Sequence, residues 1–121
     1  MKTKQGKIIE SKKVLDRLCK QDLPGTFAKQ LFDMRYSMKK AYEFQEEQEE
    51  KIFDKYSPVS NGDGSFRFDP PENLQNFLKE INELAELDAE IDAEPIKMKM
   101  IDELKISGDD IEHLSTFITF E

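Results

Sequence analysis

A chain of 121 residues with 37% apolar and 36% charged residues has room for one domain with a modest core, and the periodicity of its apolar residues excludes a disordered polymer. One cysteine, Cys19, excludes an internal disulfide and fits a reducing compartment. Met1 to Lys7 lacks the apolar core of a signal peptide, and no apolar run approaches the roughly 18–20 residues of a membrane span, so a cytoplasmic protein without membrane contact is expected.

The net charge of −8 is unevenly spread. Residues 1–40 carry 11 Lys/Arg against 4 Asp/Glu, and residues 41–121 carry 7 against 22. The two halves can neutralise each other on folding or face different partners; internal compensation on a solvated surface is the plainer expectation.

In chain order, residues 1–9 read as an arm or weak strand, with Gly6 breaking any helix and Ile8 and Ile9 starting burial. Ser11 is a plausible N-cap for a first helix running to about Gln21, with Val14, Leu15, Leu18 and Cys19 in one stripe. Asp22-Leu23-Pro24-Gly25 is a stop and turn, and Thr26 suits the N-cap of a long helix from Phe27 to Tyr56. That helix would span roughly 45 Å at 1.5 Å per residue. Its seam runs Phe27, Leu31, Met34, Met38, Ala41 and later Ile52, with polar Gln45 and Gln48 where a core wants Leu. The short turn makes the first two helices antiparallel neighbours, and the first covers only the part from Phe27 to Ala41. Phe32 and Tyr36 form a second stripe there, and something besides the first helix should touch it. Glu43 to Glu50 then holds five carboxylates in eight residues. A solvated face weakened by like charges at i,i+4 is the expected use, since no second ligand group converges for a metal.

Ser57-Pro58 ends the long helix, and Asn61-Gly62-Asp63-Gly64 with Phe66 and Phe68 predicts a hairpin or a turn before a short strand. Asp69-Pro70-Pro71-Glu72 should open a third helix, with Asp69 as cap. Its stripe of Leu74, Phe77, Leu78, Ile81, Leu84 and Ala85 should be buried against Tyr42, Ile52, Phe53 and Tyr56. From Leu87 the period falls to two: Ala89, Ile91 and Ala93 alternate with Asp88, Glu90, Asp92 and Glu94, a strand with one acidic face. Leu84, Leu87 and Ile91 also fit a helical continuation. Pro95 shifts the phase, putting Ile96, Met98 and Met100 inward and Lys97 and Lys99 outward. Leu104 to Ile106 reads as a further short strand. Ser107 with Asp110 forms a capping box for a last short helix, and Phe117, Ile118 and Phe120 should pack.

The catalytic inventory is thin: one His, one Cys, no Trp and no phosphate loop, nucleophile elbow or metal-ligand motif. Glu112 and His113 should face solvent, and Cys19 reads as an inert core thiol. No catalytic, cofactor-binding or metal-binding residue is assigned, and no cofactor is expected. Lys2, Lys4, Lys7, Lys12, Lys13, Arg17 and Lys20 form a basic cluster without stacking aromatics, so direct nucleic-acid binding is disfavoured. The even spacing of Asp88, Glu90, Asp92 and Glu94 suggests instead a mimic of a phosphate backbone.

Several features lie in a familiar order: Leu23-Pro24, Tyr42-Glu43…Lys51-Ile52…Lys55-Tyr56, the Asn-Gly-Asp-Gly turn, Phe77…Glu80…Asn82-Glu83-Leu84, the acidic alternation, and Ile106-Ser107…Ile111-Glu112…Leu114…Phe117-Ile118. In these the chain resembles a family of small uncharacterised proteins of phages and prophages of Gram-positive bacteria. The resemblance implies a phage setting, in particle assembly or in dealing with the host, and carries no activity with it.

The fold expected is α+β and mostly helical: a long central helix, two shorter antiparallel helices and a small sheet from about residues 59–69 and 88–106, all in one domain. The function expected is non-enzymatic binding of another protein, a phage structural protein or a host or defence enzyme, with a homo-oligomer compatible with the sequence. The candidate partner-binding residues are Phe32, Tyr36, Tyr42, Asp88, Glu90, Asp92 and Glu94.

Overall fold

The apolar seam predicts one long helix, and the computed structural model, which describes residues 1–98 and 105–120, contains it as α2 (Gly25–Tyr56). Its 32 residues span about 48 Å. Around it lie β1 (Lys2–Lys4), α1 (Gln5–Leu18), β2 (Val59–Ser60), β3 (Phe66–Arg67), α3 (Asn73–Ala85), β4 (Asp88–Glu90), β5 (Ile96–Lys97), α4 (Gly108–Leu114) and β6 (Ile118–Thr119). The architecture is α+β and mostly helical. No helix among the described residues is long and apolar enough to cross a membrane.

α1 lies antiparallel on the first half of α2. Gln5 Nε2 donates to the Ala41 carbonyl at 2.6 Å, Ser11 Oγ to Met38 Sδ at 3.7 Å, and Arg35 pairs with Asp16 at 3.0 Å. Burying Phe27, Leu31, Met34 and Met38 against Ile8, Leu15 and Leu18 is worth about 1.5–3 kcal/mol per large side chain. From above, Ile91, Ile96, Met98, Leu114 and Phe117 close the same core. α3 runs back along the second half of α2, with Lys55 on Glu80 at 2.9 Å and the Tyr56 and Phe77 rings 6.4 Å apart, edge to face.

Several local expectations are corrected. α1 begins at Gln5, so Gly6 lies inside a helix and Ser11 is a buried helical residue whose hydroxyl donates to the Ile8 carbonyl at 2.7 Å. Gly6 is needed because α1 meets the end of α3 there: a Cβ on it would stand 3.0 Å from Ala85 Cβ and 3.2 Å from the Ala85 carbonyl oxygen. α2 starts at Gly25, so Thr26 is within the helix, and the Pro24 position before it makes no side-chain cap bond. α3 starts at Asn73 after Glu72, leaving Asp69 outside the cap. Its stripe is only partly covered. Leu84 is buried, but Leu74 is 42% and Leu78 44% exposed, because among the described residues α3 leans mainly on α2 and the start of α1.

Among the described residues, the expected single sheet is three separate ladders of two strands. β1 pairs antiparallel with β4, setting Lys2 opposite Glu90 and Lys4 opposite Asp88. β2 and β3 form the predicted hairpin, closed by Gly62 and Gly64 at positive φ, where residues with a Cβ are strained. β5 runs parallel to β6. The alternation around Pro95 holds through Met98: Ile91, Ile96 and Met98 are buried while Asp92, Glu94 and Lys97 are exposed. Lys99, Met100 and Leu104 lie outside the described residues. Ser107 and Asp110 form the predicted reciprocal capping box. Burial opposes the charge on Asp110, but the Ser107 N–H and Arg17 hold its carboxyl below the ordinary value. Phe117 is fully buried, whereas Phe120 is 59% exposed.

Candidate functional site

The candidate residues fall in three neighbouring depressions along α2. Phe32 and Tyr36 are one helical turn apart, so their rings share a side of the helix. They stack at 6.1 Å with planes 16° apart, and they are 59% and 70% exposed. Among the described residues nothing covers them, contrary to the expectation that a further element would. Lys29 Nζ stands 5.7 Å from the centre of the Phe32 ring, within cation–π range.

Tyr42 is placed differently. It faces α1 rather than α3: its hydroxyl donates to Met38 Sδ at 3.1 Å and Lys12 Nζ lies 5.4 Å from its ring centre. Burial pushes its phenol up to about 12. Phe32, Tyr36 and Tyr42 nevertheless line one shallow depression of about 260 Å³ together with Lys12, Asp16 and Arg35.

On the other side of Tyr36 lies a larger cleft of about 570 Å³ between α2 and residues 92–95. Asp92, Glu94 and Pro95 form its outer wall, and Ser37, Lys40 and Glu43 its helical wall. Gln30 closes one end, its Oε1 accepting the Lys97 N–H at 2.8 Å and tying β5 to α2. Tyr36 is thus the ridge between two depressions, and it brings the aromatic flank and half of the acidic segment to one place.

Asp88 and Glu90 are not in that cleft. They line a separate depression with Phe44, and both are engaged by the N-terminal strand. Lys4 Nζ lies 2.7 Å from Asp88, and the terminal ammonium 3.5 Å from Glu90. The Lys4 hydrogen bond, reinforced by its charge, holds the Asp88 carboxyl below the ordinary value. The four evenly spaced acids therefore split into a compensated pair and a pair, Asp92 and Glu94, with no ion-pair partner among the described residues. Much of the basic cluster is likewise answered within the chain: Lys7 by Glu10, Lys12 by Asp16, Arg17 by Asp110.

Sequence reasoning missed the helical wall. Gln30, Ser37 and Lys40 lie at helical spacing on a polar side of α2, which periodicity alone assigns to solvent. Glu112 and His113 are exposed as expected, and Cys19 is a free thiol half-buried at the edge of the core rather than within it. Among the described residues, no three of His, Cys, Asp and Glu are grouped to hold a metal ion. Comparison with protein-family models, with curated proteins and with solved structures finds no match to the chain.

Proposed function

We propose that the protein works by binding another protein, without catalysis, through the ridge of Phe32 and Tyr36 and the cleft beside it. The observation that carries this reading is the exposure of two stacked aromatic rings on a stretch of helix whose opposite side, Phe27, Leu31, Met34 and Met38, is fully buried. Large exposed aromatics on a rigid support give contact area at little cost in side-chain entropy, which is why such residues anchor interfaces. The setting proposed is a phage protein in the cytoplasm of a bacterial host, as an accessory factor in particle assembly. The alternative is an inhibitor that occupies the active or nucleic-acid site of a host or anti-phage defence enzyme. Pairing of Asp88 and Glu90 with the N-terminal strand weighs against the version in which a row of four acids imitates phosphates.

The test is affinity capture from phage-infected cells with the wild-type chain and with Phe32→Ala/Tyr36→Ala. Both positions are exposed, so the variant should stay within about 0.5 kcal/mol of the parent in stability. Recovery of virion proteins by the parent and their loss from the variant supports the assembly role. Recovery of a host nuclease or polymerase supports the inhibitor. Equal recovery by both proteins sinks the ridge as the binding site.

A further inference from the structure

A second surface lies on the other half of α2, and its chemistry is distinct. Between α2 and α3 runs a groove of about 520 Å³ whose floor is Phe53, Phe77 and Ile81 and whose rim is Glu46, Glu49 and Glu50. The floor residues are all half-buried, so packing within the chain leaves part of each exposed. Phe77 and Ile81 are one turn apart on α3, and Glu46 and Glu50 one turn apart on α2, so floor and rim repeat together along the groove.

Among the described residues, the rim charges are not answered by an ion pair. Lys51 is turned to Glu47 at 3.2 Å and Lys55 to Glu80 at 2.9 Å. Among the described residues no Lys or Arg forms an ion pair with Glu46, Glu49 or Glu50; Glu49 accepts only the neutral Gln45 Nε2 at 2.7 Å. Glu46 and Glu50 repel each other at i,i+4, and Glu46 and Glu49 at i,i+3, a strain on the helix that an arriving cation would relieve. An anionic membrane or nucleic acid would be repelled. An apolar floor beside a row of carboxylates on α2 that make no ion pair among the described residues fits a helix with an apolar stripe and Lys or Arg along one flank.

We infer that the groove lined by Phe53, Phe77 and Ile81 is a docking site for a basic amphipathic helix of a partner protein. The helix would set apolar side chains at i and i+4 onto the floor and its flanking cations against the glutamates. This site is separate from the Phe32–Tyr36 ridge and does not rest on that reading.

A fluorescein-labelled amphipathic peptide of Leu and Lys tests it by anisotropy against the full chain. The control is a peptide of the same composition scrambled to have no apolar face. The amphipathic peptide should bind at least about tenfold more tightly than the control, and raising the salt should weaken it. Glu46→Gln/Glu49→Gln/Glu50→Gln keeps helix propensity and should cost about tenfold or more, as should Ile81→Ser. Phe32→Ala/Tyr36→Ala should bind the peptide unchanged, which separates this site from the ridge. Each variant is checked by thermal unfolding, and the glutamine variant keeps the test decisive if Ile81→Ser unfolds. Equal binding of the scrambled peptide, or unchanged binding by the glutamine variant, overturns the proposal. A concentration-dependent dimer that the glutamine variant or Ile81→Ser abolishes also overturns it, since the groove would then belong to a second copy of the chain.

Discussion

The stretches of α2 from Phe27 to Met38 and from Gln45 to Tyr56 belong to one unbroken helix, yet different things hold them. The first is covered on its seam side by α1, against which α4 packs, and by residues 91–98, and every seam residue is at most 1% exposed. The second has α3 and a two-stranded hairpin beside it, and its most buried residue is a glutamine. Aromatic contacts do much of the holding there: Phe53 meets Phe66 edge to face at 5.2 Å, and Phe68 lies 5.1 Å from Phe77. The second stretch is also poorer in apolar seam residues, with Gln45 and Gln48 where the first has Leu31, Met34 and Met38. Stability depends on how many elements converge on the apolar side, and the first stretch has several where the second has few.

The sharpest way to break this comparison is a pair of truncations. Leu31→Ala should cost about 2–5 kcal/mol in urea denaturation, because a fully buried leucine leaves a cavity. Leu78→Ala, at 44% exposure, should cost a small fraction of that. Equal costs would mean that the two regions are packed alike.

The joint between them comes next. Gly6→Val should destabilise by about 1–3 kcal/mol, since α1 and α3 would have to part at Ala85. Adding Ala85→Gly should restore part of the loss, and failure to do so would place the strain elsewhere.

Gln45→Leu should work in the opposite direction. Gln45 is 6% exposed and its Oε1 has no hydrogen-bond partner among the described residues. Replacing it should stabilise by about 1 kcal/mol, offset in part by the lost bond to Glu49. The gain should show in amides of the second half of α2 and of α3.

A smaller effect concerns the cap of α4. Asp110→Ala removes one arm of the capping box and the partner of Arg17, and should cost about 1 kcal/mol at neutral pH. The folded Asp110 carboxyl lies below its ordinary value of 3.8, so its contribution is present above that value. It is lost as the pH falls through the lower folded value. The difference between parent and variant should therefore shrink on acidification.

Much of this arrangement could be read in the residues. The antiparallel helices follow from the Leu-Pro-Gly turn, the hairpin from Asn-Gly-Asp-Gly, the last helix from Ser107 and Asp110, and the buried Ile91, Ile96 and Met98 from the phase change at Pro95. Long-range pairing was harder to read. β1 and β4 are three residues each, too short for a propensity signal, although Lys2 and Lys4 alternate at the same period as Asp88 and Glu90. Gly6 looked like a helix breaker because sequence does not show that Ala85 packs against it. Burial of α3 was overstated for a related reason: its stripe shows which side is apolar, but not whether enough chain remains to cover it. At the candidate site, Phe32 and Tyr36 were legible as a stripe. Their place beside Asp92 and Glu94 depends on how residues 91–98 cross α2, which no local pattern encodes.

Native-state hydrogen exchange tests the central contrast most directly. Amides from Leu31 to Met38 should exchange only through global unfolding, with the steepest dependence on denaturant. Amides from Gln48 to Tyr56 and throughout α3 should exchange through a smaller opening, at lower free energy and with a shallower dependence. One common free energy and one common slope along the whole of α2 would contradict the account.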